Sequence, residues 1–332
     1  MTAYTSRPTG SLRAEFLARH AQVLSIATFF VLCIVVFSLA SEAFLSTGNL
    51  LNLLRQSSPL LIVAVAMTFV ITTGGIDLSV GSSVALVNAL AAIALQASIP
   101  WPLVILLLLA SGAAIGFTQG WFVARESIPA FIVTLAGLSV LRGVALLMTQ
   151  GFSIPISPDS FFVQLGRGWL AGIPLPAVFA VLVVCIGFAA LNMMQFGRHI
   201  VAIGANAEAA RRTGVPVKRR LILVYVISGV AAAIAGIIIA ARLGSGSSNA
   251  AVGFELDVIA AVVLGGTSLM GGKGTITGTV LGALTIAVIG NGLILSHVSP
   301  FFTQIVTGLI ILVAIWLNTR VFNRLSTPTR KP

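Results

Sequence analysis

Few residues in this chain could do chemistry, and their spacing removes most of what they could do. Lys273 sits in a glycine-rich run, Gly271-Gly272-Lys273-Gly274. A phosphate-cradling loop needs G-x-x-x-x-G-K-[ST], with backbone amides around the phosphates and a hydroxyl on magnesium. Thr267 stands where the first glycine is required and Gly274 follows the lysine, so ATP is not held that way and Lys273 reads as a loop charge. His20, His199 and His297 lie singly at the ends of apolar runs, and neither an H-E-x-x-H nor a G-x-S-x-G motif occurs. No catalytic constellation and no metal site is expected, so the chain reads as something other than an enzyme. The carboxylates Asp77, Glu255 and Asp257 remain. Within membrane spans such groups relay protons or bind sodium; these three fall at segment ends or in breaks, where water can reach them. The pattern is that of a pathway whose driving energy comes from elsewhere.

The elements that must position these residues are membrane helices. Of 332 residues, 58% are hydrophobic and 8% charged, with a mean hydropathy of +1.08. A soluble domain carries about 25% charged residues to wet its surface, so the expected class is an all-α integral membrane protein. A net charge of +11 does not imply nucleic acid here. Lys and Arg flank apolar segments, the pattern that orients a chain in a bilayer, and do not gather on one face. Cys33 and Cys185 both lie in apolar runs and read as small hydrophobes.

A spanning helix needs about 20 mostly apolar residues. Segments near 21–40, 58–75, 80–97, 103–123, 129–149, 174–195, 220–241, 256–271, 275–293 and 301–318 come close, the third, eighth and ninth being short or rich in Gly and Ser. They make one permeation domain, 21–318, between tails 1–20 and 319–332. Both tails fall on the cytoplasmic side when the 19 Lys and Arg are placed by the positive-inside rule. Arg55, Arg167 and Arg242 then face outward against the trend, and Arg142 lies within the fifth segment. Ser38-Leu39-Ala40 resembles a cleavage site, but the apolar stretch before it exceeds the 7–15 residues of a signal core, so a retained first helix is expected.

Gly112, Gly116 and Gly120 line one face of the fourth segment, and Gly274, Gly278 and Gly282 do so near the ninth. Such stripes let helix backbones approach closely, within the chain or across a dimer. Gly74–Gly81 and Gly265–Gly272 echo one another as glycine-rich breaks between apolar runs, the kind of pairing that marks transport pathways. Asn88, Gln119, Thr134 and Asn291 are polar residues within or at the ends of spans. Each must face a partner helix or the pathway, because an unpaired polar group in hydrocarbon is costly.

The longest cytoplasmic connection runs over 197–220. Asn206 can cap a short helix, Glu208 suits its positive end, Arg211 and Arg212 its negative end, and Gly214 with Pro216 ends it. A two-turn helix is marginal alone, so either a partner packs on Ala209, Ala210 and Val215 or the segment is a solvated connector. Here a resemblance enters. Gly197-Arg198-His199 through Val217 resembles the coupling loop of permeases of bacterial ATP-binding-cassette (ABC) sugar importers, most of all the ribose type. Thr73-Gly74-Gly75-Ile76-Asp77-Leu78-Ser79-Val80-Gly81 is similar to that family's signature after the second helix. Ile128–Leu135 with Leu141-Arg142-Gly143 resembles its central motif, and Glu255-Leu256-Asp257 through Gly265-Gly266-Thr267-Ser268-Leu269, with Gly271–Gly274, its C-terminal signature.

These stretches cover about 50–318 in family order. The resemblance implies an importer-permease fold in the bacterial inner membrane and a monosaccharide such as ribose or xylose as cargo. It implies as partners a second permease subunit, identical or related, a cytoplasmic ATPase that carries ATP-Mg, and a periplasmic sugar-binding protein. This chain would bind no cofactor. Residues 206–215 would engage the ATPase. Outward Arg55, Arg167 and Arg242 would pair with carboxylates of the binding protein or anchor in headgroups. A branched-chain amino-acid permease and an ion-coupled carrier are the rival readings.

Overall fold

The computed structural model describes residues 12–299, 302, 305–310 and 312–313. The first eleven residues, the C-terminal tail and half of the tenth expected segment lie outside the described residues, although 305–310 are helical. Twelve helices are described: α1 Leu12–Ala40, α2 Thr47–Thr72, α3 Val80–Gln96, α4 Trp101–Arg125, α5 Ala130–Thr149, α6 Gln164–Arg167, α7 Leu175–Asn192, α8 Gln195–Ala205, α9 Ala207–Arg212, α10 Val217–Leu243, α11 Phe254–Leu264 and α12 Ile276–Leu295. Two small antiparallel ladders join them, β1 (Ile154–Pro155) with β4 (Ser245–Gly246) and β2 (Trp169–Leu170) with β3 (Ile173–Pro174).

Among the described helices, seven are long and apolar enough to cross a membrane. Two expected spans fall short of that. α3 has 17 residues. α11 has 11, about 16 Å of helix against a hydrocarbon layer of about 30 Å. The expected 256–271 span ends at Leu264 because Gly266, Gly271 and Gly272 all take positive φ, a conformation that suits glycine and breaks the helix. At the other extreme, α2 begins at Thr47, well before the apolar run at 58. Ser46 caps it by accepting from the Asn49 amide at 3.3 Å, and the helix passes through Pro59. Ser57 and Ser58 return their hydroxyls to the Leu54 carbonyl, which satisfies groups that made this stretch look like a loop. α1 likewise starts inside the expected N-terminal tail.

The core forms around α2 and α10, whose spans are 83% and 61% buried, whereas α5 is 11% buried. α10 packs on α4, α3 and α2. The glycine stripe of α4 faces α10 within the chain: a Cβ on Gly116 would strike the Tyr225 carbonyl, and one on Gly112 the Gly229 carbonyl. Gly278 and Gly282 of α12 meet Gly265 and Ala261 in the same way. The stripes are therefore intramolecular contacts in which backbone packing takes the place of a hydrophobic drive.

Candidate functional site

Three polar regions lie along the α10 axis. The first is the hairpin that precedes α10. Asn206 Oδ1 accepts from the Ala209 amide at 2.9 Å and caps α9. Glu208 accepts from Arg211 Nε and Nη2 and from Arg212 Nε, each at 3.0 Å. These hydrogen bonds hold the exposed Glu208 carboxyl below the usual carboxylate range. The Gly214 amide donates to Arg211 and the Val215 amide to the Ala210 carbonyl, with Gly214 at φ +86°, closing a C-cap around it. Ala210 is buried; Glu208, Ala209, Arg211 and Arg212 are exposed. α8, before it, packs Phe196 edge-on against Phe69 of α2 at 5.4 Å, with the Arg220 guanidinium 6.0 Å from the Phe196 ring centre.

Above this hairpin the two glycine-rich breaks meet. The Gly272 amide donates to the Thr72 carbonyl at 2.9 Å. Gly204 of α8 lies so close that an added Cβ would overlap the Thr72 carbonyl and the Gly272 nitrogen, and one on Gly274 would strike the Thr72 hydroxyl. The sequence echo is thus a contact between Gly74 and the 270–272 turn.

The second region is the break from Thr73 to Ser79. Asp77 is buried and accepts three hydrogen bonds: Ser79 N at 3.0 Å and Ser79 Oγ at 2.7 Å to Oδ1, and Ser228 Oγ at 2.7 Å to Oδ2. Gln119 Nε2 of α4 donates to Ser79 Oγ at 2.7 Å. Thr134 Oγ1 of α5 donates to the Ile76 carbonyl at 3.1 Å. Tyr225, fully buried, brings its hydroxyl against Gly75, where a Cβ would stand 2.6 Å away, and that hydroxyl has no partner among the described residues. Gln119 also borders a largely apolar cavity of about 570 Å³ between α4 and α5.

The third region is the loop between α10 and α11. Arg142 of α5 donates to the carbonyls of Ser248, Ala250 (2.9 Å) and Ala251 (3.4 Å), and Thr149 donates to Ser248 Oγ at 2.9 Å. Asn88 accepts from the Ser247 amide at 2.6 Å. Glu255 lies against Gly81, and Asp257 is exposed on the flank of α11. Farther along, Arg167 Nε donates to the Arg242 carbonyl at 2.9 Å, and Arg55 stacks 4.7 Å over Trp169. Arg167 is exposed, Arg55 and Arg242 half-buried, and none of the three has an ion-pair partner among the described residues.

The expected site residues thus fall into separate groups. Asp77, Ser79, Gln119 and Thr134 converge, and Gly75 and Gly81 flank them. Arg142, Glu255 and Asn88 surround the loop before α11. Gly265, Gly266 and Gly272 belong to the second break. Asn291 stands apart in a reciprocal amide pair with Asn49, at 2.9 and 3.0 Å. Ser228, Tyr225, Thr72 and Gly204 were not singled out from sequence. A tyrosine in mid-span is the one signal among them, since its hydroxyl must be accommodated; a serine, threonine or glycine in a helix gives none.

A family model described as the branched-chain amino acid transport system / permease component matches residues 49–315. A probable ABC transporter permease protein, YphD of Escherichia coli K12, is 40% identical over 95% of both chains. The ribose import permease protein RbsC of Bacillus subtilis is 42% identical over 88% of this chain and 90% of its own. The xylose transport system permease protein XylH of Escherichia coli K12 is 34% identical over 95% and 94%. No solved structure matches. With several apolar helices of spanning length, the protein is a multi-pass membrane protein, and by the extent of these matches it belongs to this family of ABC-transporter permease components.

Proposed function

We propose that the chain is the permease subunit of an ABC importer that moves a monosaccharide, of the ribose or xylose class, from a periplasmic binding protein to the cytoplasm. The observation that carries the reading is the α8–α9 hairpin, a capped and self-terminated helix presented by a chain whose relatives are ribose and xylose permeases. Its exposed face, Glu208, Ala209, Arg211 and Arg212, enters a groove of the ATPase, where ATP-Mg is held. The permease domain 21–318 crosses the inner membrane ten times with both tails cytoplasmic, the short α3 and α11 completing their crossings through the glycine-rich breaks that adjoin them. That orientation places α9 inside and Arg55, Arg167 and Arg242 outside, facing acidic groups of the binding protein. A second copy of the chain, or a related one, completes the pathway along the exposed face of α5. Of Asn88, Gln119, Thr134 and Asn291, all of which hydrogen-bond within the chain, Gln119 is the one that also lines the cavity beside that face, and we assign it to the pathway.

The test is reconstitution with the neighbouring ATPase and binding protein, followed by ATP-dependent uptake of pentoses and hexoses. Uptake of one sugar that needs all three components supports the reading. Uptake of leucine or isoleucine in place of sugars would establish the reading that the family description favours. Accumulation driven by an ion gradient without the ATPase would overturn both.

A further inference from the structure

Two grips hold the seven-residue break between α2 and α3, one from α8 and one from α10, the two helices that flank α9. On one side α8 places Gly204 directly against the Thr72 carbonyl and the Gly272 amide, so the backbones move together. On the other, α10 begins at Val217 after a four-residue connector from the end of α9 at Arg212, closed by the Val215–Ala210 hydrogen bond and by Pro216. From Val217 it is about 16 Å along the helix axis to Ser228, whose hydroxyl donates to Asp77 Oδ2.

The chemistry at Asp77 makes the second grip all-or-none. Every hydrogen bond to the carboxylate runs inward. Gln119 donates to Ser79, Ser79 donates to Asp77 through both its amide and its hydroxyl, and Ser228 donates from the opposite side. The group also stands just ahead of the α3 N-terminus, the positive end of that helix dipole. No Lys or Arg bonds to it among the described residues. A buried carboxyl group without a cation is tolerable only while its hydrogen-bond partners stay assembled. Losing one partner costs more than the bond itself, because a buried polar atom is then left unsatisfied. Such a group favours two discrete arrangements over gradual sliding.

We propose that Asp77 is a positioning residue that locks the break between α2 and α3 onto Ser228 of α10 and Gln119 of α4, so that displacement of α9 by the ATPase reaches the start of α3 as one concerted shift. The inference rests on the importer reading and supplies that reading with its internal linkage. Tyr225, one turn before Ser228 and against Gly75, fills the space beneath the break and keeps water from the carboxylate.

The experiment compares Asp77→Asn, Ser228→Ala and Ser228→Thr in the full importer, with permease, ATPase and binding protein in liposomes. Uptake and ATP hydrolysis are measured together, and assembly is checked by size-exclusion chromatography. Asp77→Asn keeps the shape but turns one carboxyl oxygen into an amide donor facing the donors of Ser79 or Ser228. It should lower sugar moved per ATP by about tenfold or more, the equivalent of one charge-assisted hydrogen bond, while hydrolysis continues. Ser228→Ala should lower the ratio in the same direction, and Ser228→Thr, which keeps the hydroxyl, should restore it. If Asp77→Asn does not assemble, the two Ser228 variants decide alone. An unchanged ratio in assembled variants, or uptake and hydrolysis falling in proportion, overturns the lock and leaves a purely structural role. Absence of ATP-dependent uptake by the unaltered importer overturns the underlying reading instead.

Discussion

Glu208 and Asp77 are two carboxylates with opposite arrangements. Glu208 is exposed and bonds two guanidinium groups through three hydrogen bonds. Asp77 is buried and has no cationic partner among the described residues, only amide and hydroxyl donors supplied by α3 and α10. The formal ion pair is the weaker device, because water and salt already solvate both sides at a surface. The neutral shell around Asp77 is the stronger one, because the buried carboxyl group has no water to turn to if a partner is lost. Local charge pairing shapes a two-turn helix; distant donors tie separate helices together.

The largest expected effect comes from emptying the buried site. Asp77→Ala leaves the Ser228 and Ser79 donors without an acceptor and should cost about 3 kcal/mol, read as a lowered melting temperature of the detergent-solubilised protein. A cost near zero would mean that the donors find new acceptors and that the contrast with Glu208 is false. Next comes the packing that holds Ser228 in place. Gly116→Val sets side-chain atoms against the Tyr225 carbonyl and should cost about 1–3 kcal/mol. A double variant with Asp77→Ala then sharpens the comparison, since coupled sites give less than the sum of the two. Removing the α9 cap by Asn206→Ala should weaken that helix by about 1 kcal/mol, seen as faster amide exchange at Ala209 and Ala210 with global stability unchanged.

Glu208→Gln is expected to be the mildest change, leaving the melting temperature unaltered at any salt concentration. The sign of its pH dependence follows from the depressed carboxyl. Whatever Glu208 contributes is present above the ordinary glutamate range and is lost only as pH falls below it. Amide exchange over α9, taken relative to the rate of an unstructured peptide at each pH, should therefore be flat from neutrality down to about pH 4.3 and rise below that. A rise between pH 6 and 7 would assign the effect to another group.

How much of this was legible in the sequence follows from the range of the interactions. α9 could be read from Asn206, Glu208, Arg211 and Gly214 because a cap and its helix lie within one stretch of chain. The class of fold could be read from hydropathy alone. The extent of α2 could not, because the polar run Arg55 to Ser58 interrupts the apolar pattern until the Ser57 and Ser58 hydroxyls are seen returning to Leu54. α11 was over-extended by its apolar composition, which carries no information on where Gly266 turns left-handed. Asp77 and Ser79 stand out in a motif, but the residue that closes their site, Ser228, is 151 positions away and looks like any other helical serine. Arg55 and Arg242 sit far apart in the chain, and only the fold brings them to one end of α10.

The short helices α3 and α11 have a consequence for how the protein is made. Insertion into a bilayer segment by segment requires about 20 apolar residues at a time, and neither helix meets that. The loop that leads into α11 is held by other elements: Arg142 donates to its carbonyls, and Asn88, in the middle of α3, accepts from the amide of Ser247. α3 is synthesised well before α10, the helix it packs against most. During that interval the ribosome has delivered a segment whose polar groups have no home. The 73–96 stretch therefore gains two of its polar partners, Ser228 and the Ser247 amide, only once α10 and the loop after it have been made.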